Sequence, residues 1–295
     1  MNRALAAAPA VFVLLWSTGF VGAKYVLPYA DPFTFLAIRL VIAAAVLGVA
    51  AALTGGRIHR DAVGRASVSG LLLHACYLGG VFWAISRGTP AGVASVIVSL
   101  QPVLVAALAA PLLGEQLIRR QWLGLLVGVA GVALVLAPGL GSRTGHLPVA
   151  GVLACLVALL GGTAGTLWQK RHGDGIPLLW GTAVQYAVAA LVLLGLAVGS
   201  EPMRVRWTGA FVGALVWLVV VLSIGAVLIL LVLLRRGSAA GVSSLFYLVP
   251  PATAVEAFLL FGERLAALSL VGIVVTAAGV AMVVKTRPVE VLQDA

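Results

Sequence analysis

The chain is short of charge. Only 9% of its 295 residues are Asp, Glu, Lys or Arg, and 62% are hydrophobic. A soluble domain carries about 25% charged residues, so there is too little polar surface here to cover a water-soluble globule. Acids are the scarcest group, nine against nineteen Lys and Arg. The resulting net charge of +10 does not point to nucleic acid. The basic residues lie in short loops between apolar runs, where membrane topology accounts for them. Arg far outnumbers Lys, a weak hint of a GC-rich bacterial source. The only two cysteines, Cys76 and Cys155, both fall inside apolar runs, which argues against a disulfide framework or a zinc site. No metal or cofactor is expected. The four histidines (His59, His74, His146 and His172) are scattered, and G-x-S-x-G, H-E-x-x-H and C-x-x-C are all missing. A membrane-embedded enzyme needs a nucleophile with its base, or a metal cluster, and ranks behind transport for that reason. A passive pore or a structural membrane subunit is the other alternative. No loop is long enough to fold as a soluble domain.

What the chain has in abundance is apolar runs of roughly 20 residues, long enough to cross a bilayer core of about 30 Å as helices. Ten such segments are expected, at roughly 9–28, 32–53, 66–86, 91–112, 121–138, 148–169, 177–197, 208–233, 240–261 and 267–284. The first has Arg3 as a thin basic leader and could be taken for a signal peptide. Its length and the nine spans after it favour an uncleaved helix. Residues 287–295 form a polar tail, expected to be disordered.

The chain contains one stretch twice. RGTPAGVASVIVSLQPVLVAALAAPLLGEQLIRRQWLGLLVGVAGVALV starts at Arg87, and RGSAAGVSSLFYLVPPATAVEAFLLFGERLAALSLVGIVVTAAGVAMVV starts at Arg236. Arg87, Gly88 and Gly92 match Arg236, Gly237 and Gly241. Pro102 matches Pro250, and Gly114-Glu115 matches Gly262-Glu263. Gly124 and Gly131 match Gly272 and Gly279. Fixed-period self-similarity of this kind marks a duplicated unit. The first halves match more faintly. Gly19 and Lys24 resemble Gly165 and Lys170, and AIRLVIAAAVLG from Ala37 resembles AVQYAVAALVLLG from Ala183, which sets Arg39 opposite Gln185. The units are residues 1–138 and 147–286, five spans each.

Five is odd, so the second copy enters the membrane from the opposite side. The halves are then related by a two-fold axis in the membrane plane, the inverted repeat of secondary transporters. With the N-terminus in the cytoplasm, inner loops hold about twice the Lys and Arg of the outer ones, as the positive-inside rule requires. Arg119 and Arg120, inside, align with Ala267 and Leu268, outside. The expected fold is all-α, with ten transmembrane helices in two inverted five-helix repeats.

These features resemble the drug/metabolite transporter superfamily, EamA type. The carriers are the Pro102 to Gly114-Glu115 and Pro250 to Gly262-Glu263 helix ends and the glycine-spaced last helix of each repeat. Over about 280 residues the resemblance implies a ten-helix bundle in the bacterial inner membrane with both termini cytoplasmic. It further implies alternating access, often for export of amino acids or related metabolites. The implied partners are a small-molecule substrate, the lipid bilayer and, as a candidate coupling ion, protons.

Ionisable groups inside a membrane span are expensive and mark functional candidates. Glu256 lies about five residues from the outer end of its span and Arg39 about seven from the outer end of its own, roughly 8 and 10 Å deep. Equal depth allows a buried pair acting as gate or proton-coupling element. Each could instead stand alone, Glu256 reaching the interface and Arg39 bonding carbonyls. Glu256 aligns with Leu108 of the other repeat, so the repeat does not require it. His74 sits near midplane, about three residues from Tyr77, and can relay protons or simply bond one neighbour. Pro102, beside Gln101, and Pro250 each remove a backbone hydrogen bond. Irregular backbone at this depth needs protein or a watered cavity, so a cavity is expected beside the fourth and ninth spans, with a plain kink as the alternative. Trp16, Trp83, Trp168, Gln185 and Tyr247 are candidate lining residues, although aromatics near span ends also serve as interfacial anchors. Glu115 and Glu263 follow a helix-stopping Gly and read as structural punctuation. The glycines at 124, 128, 131, 272 and 279 suit close helix packing.

Overall fold

The structure is a computed structural model that describes residues 3–89, 94, 97–140, 148–261 and 266–284. Among these residues there are ten helical segments. They are α1 (Arg3–Val26), α2 (Pro32–Leu53), α3 (Arg60–Ser86), α4 (Gln101–Leu113), α5 (Arg119–Leu140), α6 (Val149–His172), α7 (Leu178–Ser200), α8 (Gly209–Arg236), α9 (residues 239–261) and α10 (Ala267–Val284). Among the described residues, α2, α3, α6, α7 and α8 have both the length and the hydropathy to cross a membrane on their own. Glu263 and the tail from 287 lie outside the described residues.

The helices are apolar on all sides, and burial separates two kinds of apolar face. On α2, Leu36, Leu40, Ala43 and Leu47 recur at helical spacing and are buried, while Val41, Val46, Val49 and Leu53 are exposed. A stripe of exposed aliphatic residues is what a lipid-facing surface requires, because lipid solvates it. The buried stripe of α2 packs on α7 and continues into Phe35, Phe82, Phe211 and Leu193.

The contacts follow the repeat. α2 packs on α7 and α5 on α10, each against its own counterpart. The α3–α6 contact has its equivalent in α8–α1, and α4–α6 in α9–α1. The pseudo-two-fold axis therefore runs between α2 and α7 and between α5 and α10. Small residues make the second of these crossings possible. A Cβ on Gly279 would lie 2.5 Å from the Gly128 backbone nitrogen, and one on Gly131 would lie 2.4 Å from Thr276 Oγ1. Backbones this close need glycine, as in small-residue membrane interfaces.

α3 and α8 share a departure from regular helix. Each has a π-helical turn, at Leu71–Cys76 in α3 and Leu218–Ala226 in α8. These occupy equivalent places in the two repeats. The spans holding the two prolines also match. α4 begins at Gln101 after a turn at 99–100, and in α9 a 3-10 turn at Leu245–Leu248 separates Ala239–Ser244 from Val249–Phe261. Pro102 and Pro250 each stand one residue after the start of an α-helical segment, where the missing N–H costs little. The irregular backbone precedes both prolines, so they do not kink an unbroken helix.

The two ends of the bundle are held differently. At the end carrying Asp31, the α7–α8 loop grips the α1–α2 loop. Glu201 accepts from the backbone N–H of Phe33 (2.7 Å) and Thr34 (2.8 Å) and from Thr34 Oγ1 (2.8 Å), so it caps α2 from across the repeat boundary. The first N–H groups of a helix have no partner within it, and a carboxylate there also meets the positive end of its dipole. Arg206 N–H donates to Tyr29 O at 2.8 Å, and Arg204 N–H donates to Asp31 Oδ2 at 2.9 Å. At the opposite end, Lys170 Nζ donates to Leu234 O (2.9 Å) and Gly237 O (2.7 Å), and Arg235 donates to Gly173 O and Ile176 O. Gly114 ends α4 with φ 71°, a left-handed stop that favours glycine. The adjoining Glu115 does not serve the next helix in sequence. Its Oε1 accepts from Ala239 N–H at 2.9 Å and caps α9.

Candidate functional site

Arg39, His74, Ser99, Gln101, Thr166, Gln185 and Ser223, all buried, gather around three adjoining cavities between the repeats. The largest, of about 60 Å³, is lined by Trp16, Arg39, His74, Tyr77, Tyr186 and Ser223 among aliphatic neighbours. A second, of about 20 Å³, shares Trp16, His74 and Tyr77 and adds Gln101 and Gln185. A third, also about 20 Å³, adds Ser99 and Pro250. Trp16 and Tyr77 line all three. Space of this size at polar walls has room for several waters.

Two hydrogen bonds define the centre. Arg39 Nε on α2 donates to Ser223 Oγ on α8 at 2.9 Å. His74 Nε2 on α3 meets Gln185 Oε1 on α7 at 3.3 Å. Arg39 and Gln185 are repeat counterparts. The offset that sets Arg87 opposite Arg236 also sets His74 opposite Ser223. The two bonds are therefore one contact made twice, once from α2 to α8 and once from α7 to α3, on either side of the axis. Both π-helical turns carry one partner of a pair, and such turns recur at functional sites. Tyr186 connects the pairs, because its ring lies 4.6 Å from that of His74 and its hydroxyl donates to Ser223 O.

Glycines set these distances. A Cβ on Gly70 would stand 2.3 Å from Gln185 O, so the bare α3 backbone lets α7 come close enough for Gln185 to reach His74. A Cβ on Gly162 would stand 2.8 Å from Gln101 Oε1. The Gln101 amide fills that space, and its Nε2 donates to Gly162 O (3.3 Å) and Thr166 Oγ1 (3.1 Å) on α6. Gln185 continues the network through Nε2 to Gln169 Oε1 at 3.1 Å.

Of the residues expected at the cavity, Trp16, His74, Tyr77, Gln101, Gln185 and Pro250 line it, and so does Arg39, which was expected as a gate or proton-coupling residue. Four others lie elsewhere. Trp83 stands beside the Arg87 guanidinium, 5.2 Å from its ring centre, at the end of α3. Trp168 donates to Arg65 O at 3.0 Å and stacks on His172 near the opposite end. Pro102 is buried in the first turn of α4. The fully buried Tyr247 ring covers Gly128 on α5. The expected Glu256–Arg39 pair is not formed. Glu256 Oε1 accepts from Ser17 Oγ on α1 at 2.5 Å, while its Oε2 is buried without a partner among the described residues. The depths agree, but α2 borders α7 and α8 whereas α9 borders α1. Ser223, Ser17 and Glu201 were not expected. Serine is too common for notice by type, and only the repeat register, carried back from Arg236, picks out Ser223.

A ten-helix bundle of two inverted repeats, with a cavity on the axis between them that a few polar side chains enter, has the architecture of a secondary transporter. The EamA-like transporter family matches this chain twice, over residues 5–137 and 149–285, and the chain belongs to that family. It is 29% identical over 280 residues to the "Uncharacterized transporter YvbV" of Bacillus subtilis, spanning 93% of this chain and 89% of that one. It is 27% identical over 210 residues to the "Probable amino-acid metabolite efflux pump" of Salmonella typhimurium, spanning 68% of this chain and 69% of that protein. A solved crystal structure shares the fold, with a TM-score of 0.79 at 22% identity over 96% of each chain. The protein is a membrane transporter, and its relatives are transporters rather than enzymes.

Proposed function

We propose that the chain is a secondary-active carrier that exports amino acids or related small metabolites across a bacterial inner membrane by alternating access. The observation that carries this reading is the convergence of Arg39, His74, Gln101, Gln185 and Ser223 on one space between the repeats. An apolar bundle that needed only to hold together has no use for this many polar groups at its centre. The printed name of the Salmonella typhimurium relative supports the substrate class. The inner-loop excess of Lys and Arg supports cytoplasmic N- and C-termini. The ties of Lys170, Arg235 and Glu115 close the end that this topology places inside. The largest of the three central cavities extends the other way, to Ile85 near the end of α3. Protons are the coupling ion this reading favours, with His74 at the centre and Glu256 at the α1–α9 contact as the groups to examine.

The test is counterflow in proteoliposomes. A carrier preloaded with unlabelled amino acid accumulates labelled substrate transiently, and its uptake saturates. Linear, unsaturable uptake without counterflow would instead indicate a passive pore.

A further inference from the structure

The side chain that lines the largest of the three central cavities with a full charge is Arg39, and it has no ionic partner among the described residues. Only 3% of it is exposed. Its bond to a protein group is the one from Nε to Ser223 Oγ, and no bond from its two terminal nitrogens is formed within the described residues. Glu256 is taken by Ser17, Glu201 by the α2 N-terminus, and Asp31 by the Arg204 backbone. A buried cation without a counter-charge is costly. The repeat does not demand it, since the same place in the second copy holds neutral Gln185.

We propose that Arg39 is the substrate's carboxylate subsite, and that the substrate's negative charge completes an ion pair which the protein leaves half-made. The guanidinium is a planar fork that binds a carboxylate through two parallel N–H bonds. Ser223 occupies Nε and so removes the side-on approach. The two terminal nitrogens remain, and they suit an end-on carboxylate. One cation without a second nearby balances one negative charge. This favours a monocarboxylate over a dianion such as a phosphate monoester, which would leave the loaded site negative. Beyond Arg39 the wall is mostly apolar, with Leu73, Leu78, Val81, Phe82, Leu222 and Val227. That lining suits an aliphatic or aromatic body. The subsite thus selects apolar amino acids and related monocarboxylates, and rejects their amides and cationic amphiphiles that lack a carboxylate. It has a kinetic consequence too. The empty guanidinium lacks a counter-charge and the loaded one has it, so the loaded carrier reorients more readily and exchange outruns net flux.

The proposal rests on the reading of the protein as an amino-acid carrier, and the test separates the two. The full chain, purified in detergent, is titrated with matched pairs of each apolar amino acid and its amide, and with inorganic phosphate, while its melting temperature is followed. Wild type, Arg39→Gln and Arg39→Lys are compared, and the same pairs are run in proteoliposome counterflow. A charge-assisted bond is expected to make an acid bind about 10- to 100-fold more tightly than its amide. The preference should vanish in Arg39→Gln and persist, weakened, in Arg39→Lys. Amides that bind and move as well as their acids overturn the subsite and leave the carrier reading standing. So does an undiminished acid preference in Arg39→Gln, or stabilisation by phosphate in place of the acids. If no member of the panel binds or shows counterflow, the amino-acid reading falls and the subsite with it. Should Arg39→Gln fail to fold, the acid–amide comparison in the wild type and in Arg39→Lys still decides.

Discussion

Replacing Gly70 by alanine adds one methyl group to α3 and tests the geometry of the whole centre. The new Cβ would lie 2.3 Å from the Gln185 carbonyl oxygen and 2.7 Å from its Cα. Ordinary contact between carbons begins near 3.5 Å, so α3 and α7 must part by about 1 Å. The obstacle is backbone, which cannot swing aside as a side-chain tip can. The His74–Gln185 bond, at 3.3 Å, has no slack, since beyond about 3.6 Å such a contact is no longer a hydrogen bond. Overpacking costs about 1–3 kcal/mol and the lost bond about 1 kcal/mol, together about 2–4 kcal/mol. At about 2–4 °C per kcal/mol, the midpoint should fall by roughly 10 °C, read by thermal unfolding of the purified protein in detergent. Gly48→Ala and Gly195→Ala are the controls. Both positions are helical and have nothing within 4 Å of the added Cβ. There alanine reduces the freedom of the unfolded chain and should stabilise by about 0.4–1 kcal/mol. The same substitution thus carries opposite signs at sites chosen from the structure. If Gly70→Ala melts at or above the two controls, the close approach of α3 to α7 is wrong, and the pairing of His74 with Gln185 goes with it.

Other substitutions probe the remaining parts. A single cysteine at position 119 should react with an impermeant maleimide only after the inner face is opened, and one at position 267 should react from outside; identical sidedness would defeat the inverted topology. Glu256→Gln keeps an acceptor for Ser17 and should fold normally, whereas Glu256→Leu leaves the Ser17 hydroxyl only its Leu14 carbonyl and should lower the melting midpoint by about 1–3 kcal/mol equivalent; equal midpoints would show that the α1–α9 contact is held by other groups. Gly279→Leu should separate α5 from α10 and abolish folded yield, because its first side-chain atom already meets the Gly128 backbone; a normal yield would refute that crossing. Gln185→Arg adds a second buried cation and should reduce yield, and adding Arg39→Gln should recover it, since the swap restores one cation to the same pair on the other side of the axis; a double variant no better than Gln185→Arg alone would count against the equivalence of the two pairs.

The elements and the repeat were legible because both are local properties of the sequence. Runs of about 20 apolar residues and a repeated Gly-Glu helix end can be read without knowing which helix touches which. Contact partners could not be read in that way. Arg39 and Glu256 lie at matching depth, yet depth gives no position around the bundle, and α2 and α9 border different neighbours. Trp83 and Trp168 were ambiguous between cavity and span end. They went to the ends because an indole N–H finds a backbone carbonyl there and an indole face finds an arginine, as Trp168 finds Arg65 O and Trp83 finds Arg87. Pro102 and Pro250 were correctly associated with irregular backbone, but it precedes the prolines, and only Pro250 reaches the cavity.

Duplication explains why a cavity exists, and the departures from duplication explain what it can do. Two copies related by a two-fold axis must place equivalent residues on either side of that axis. A contact between α2 and α8 is therefore repeated between α7 and α3 without any further requirement on the sequence. Strict identity would give a site with two equal ends, and such a site cannot orient a substrate that has a head and a tail. Here the pairs have diverged in chemistry while keeping their places. One is Arg39 with Ser223 and the other is Gln185 with His74. A charge stands on one side and none on the other. The scaffold supplies a symmetric space, and the divergence of these two pairs breaks its symmetry.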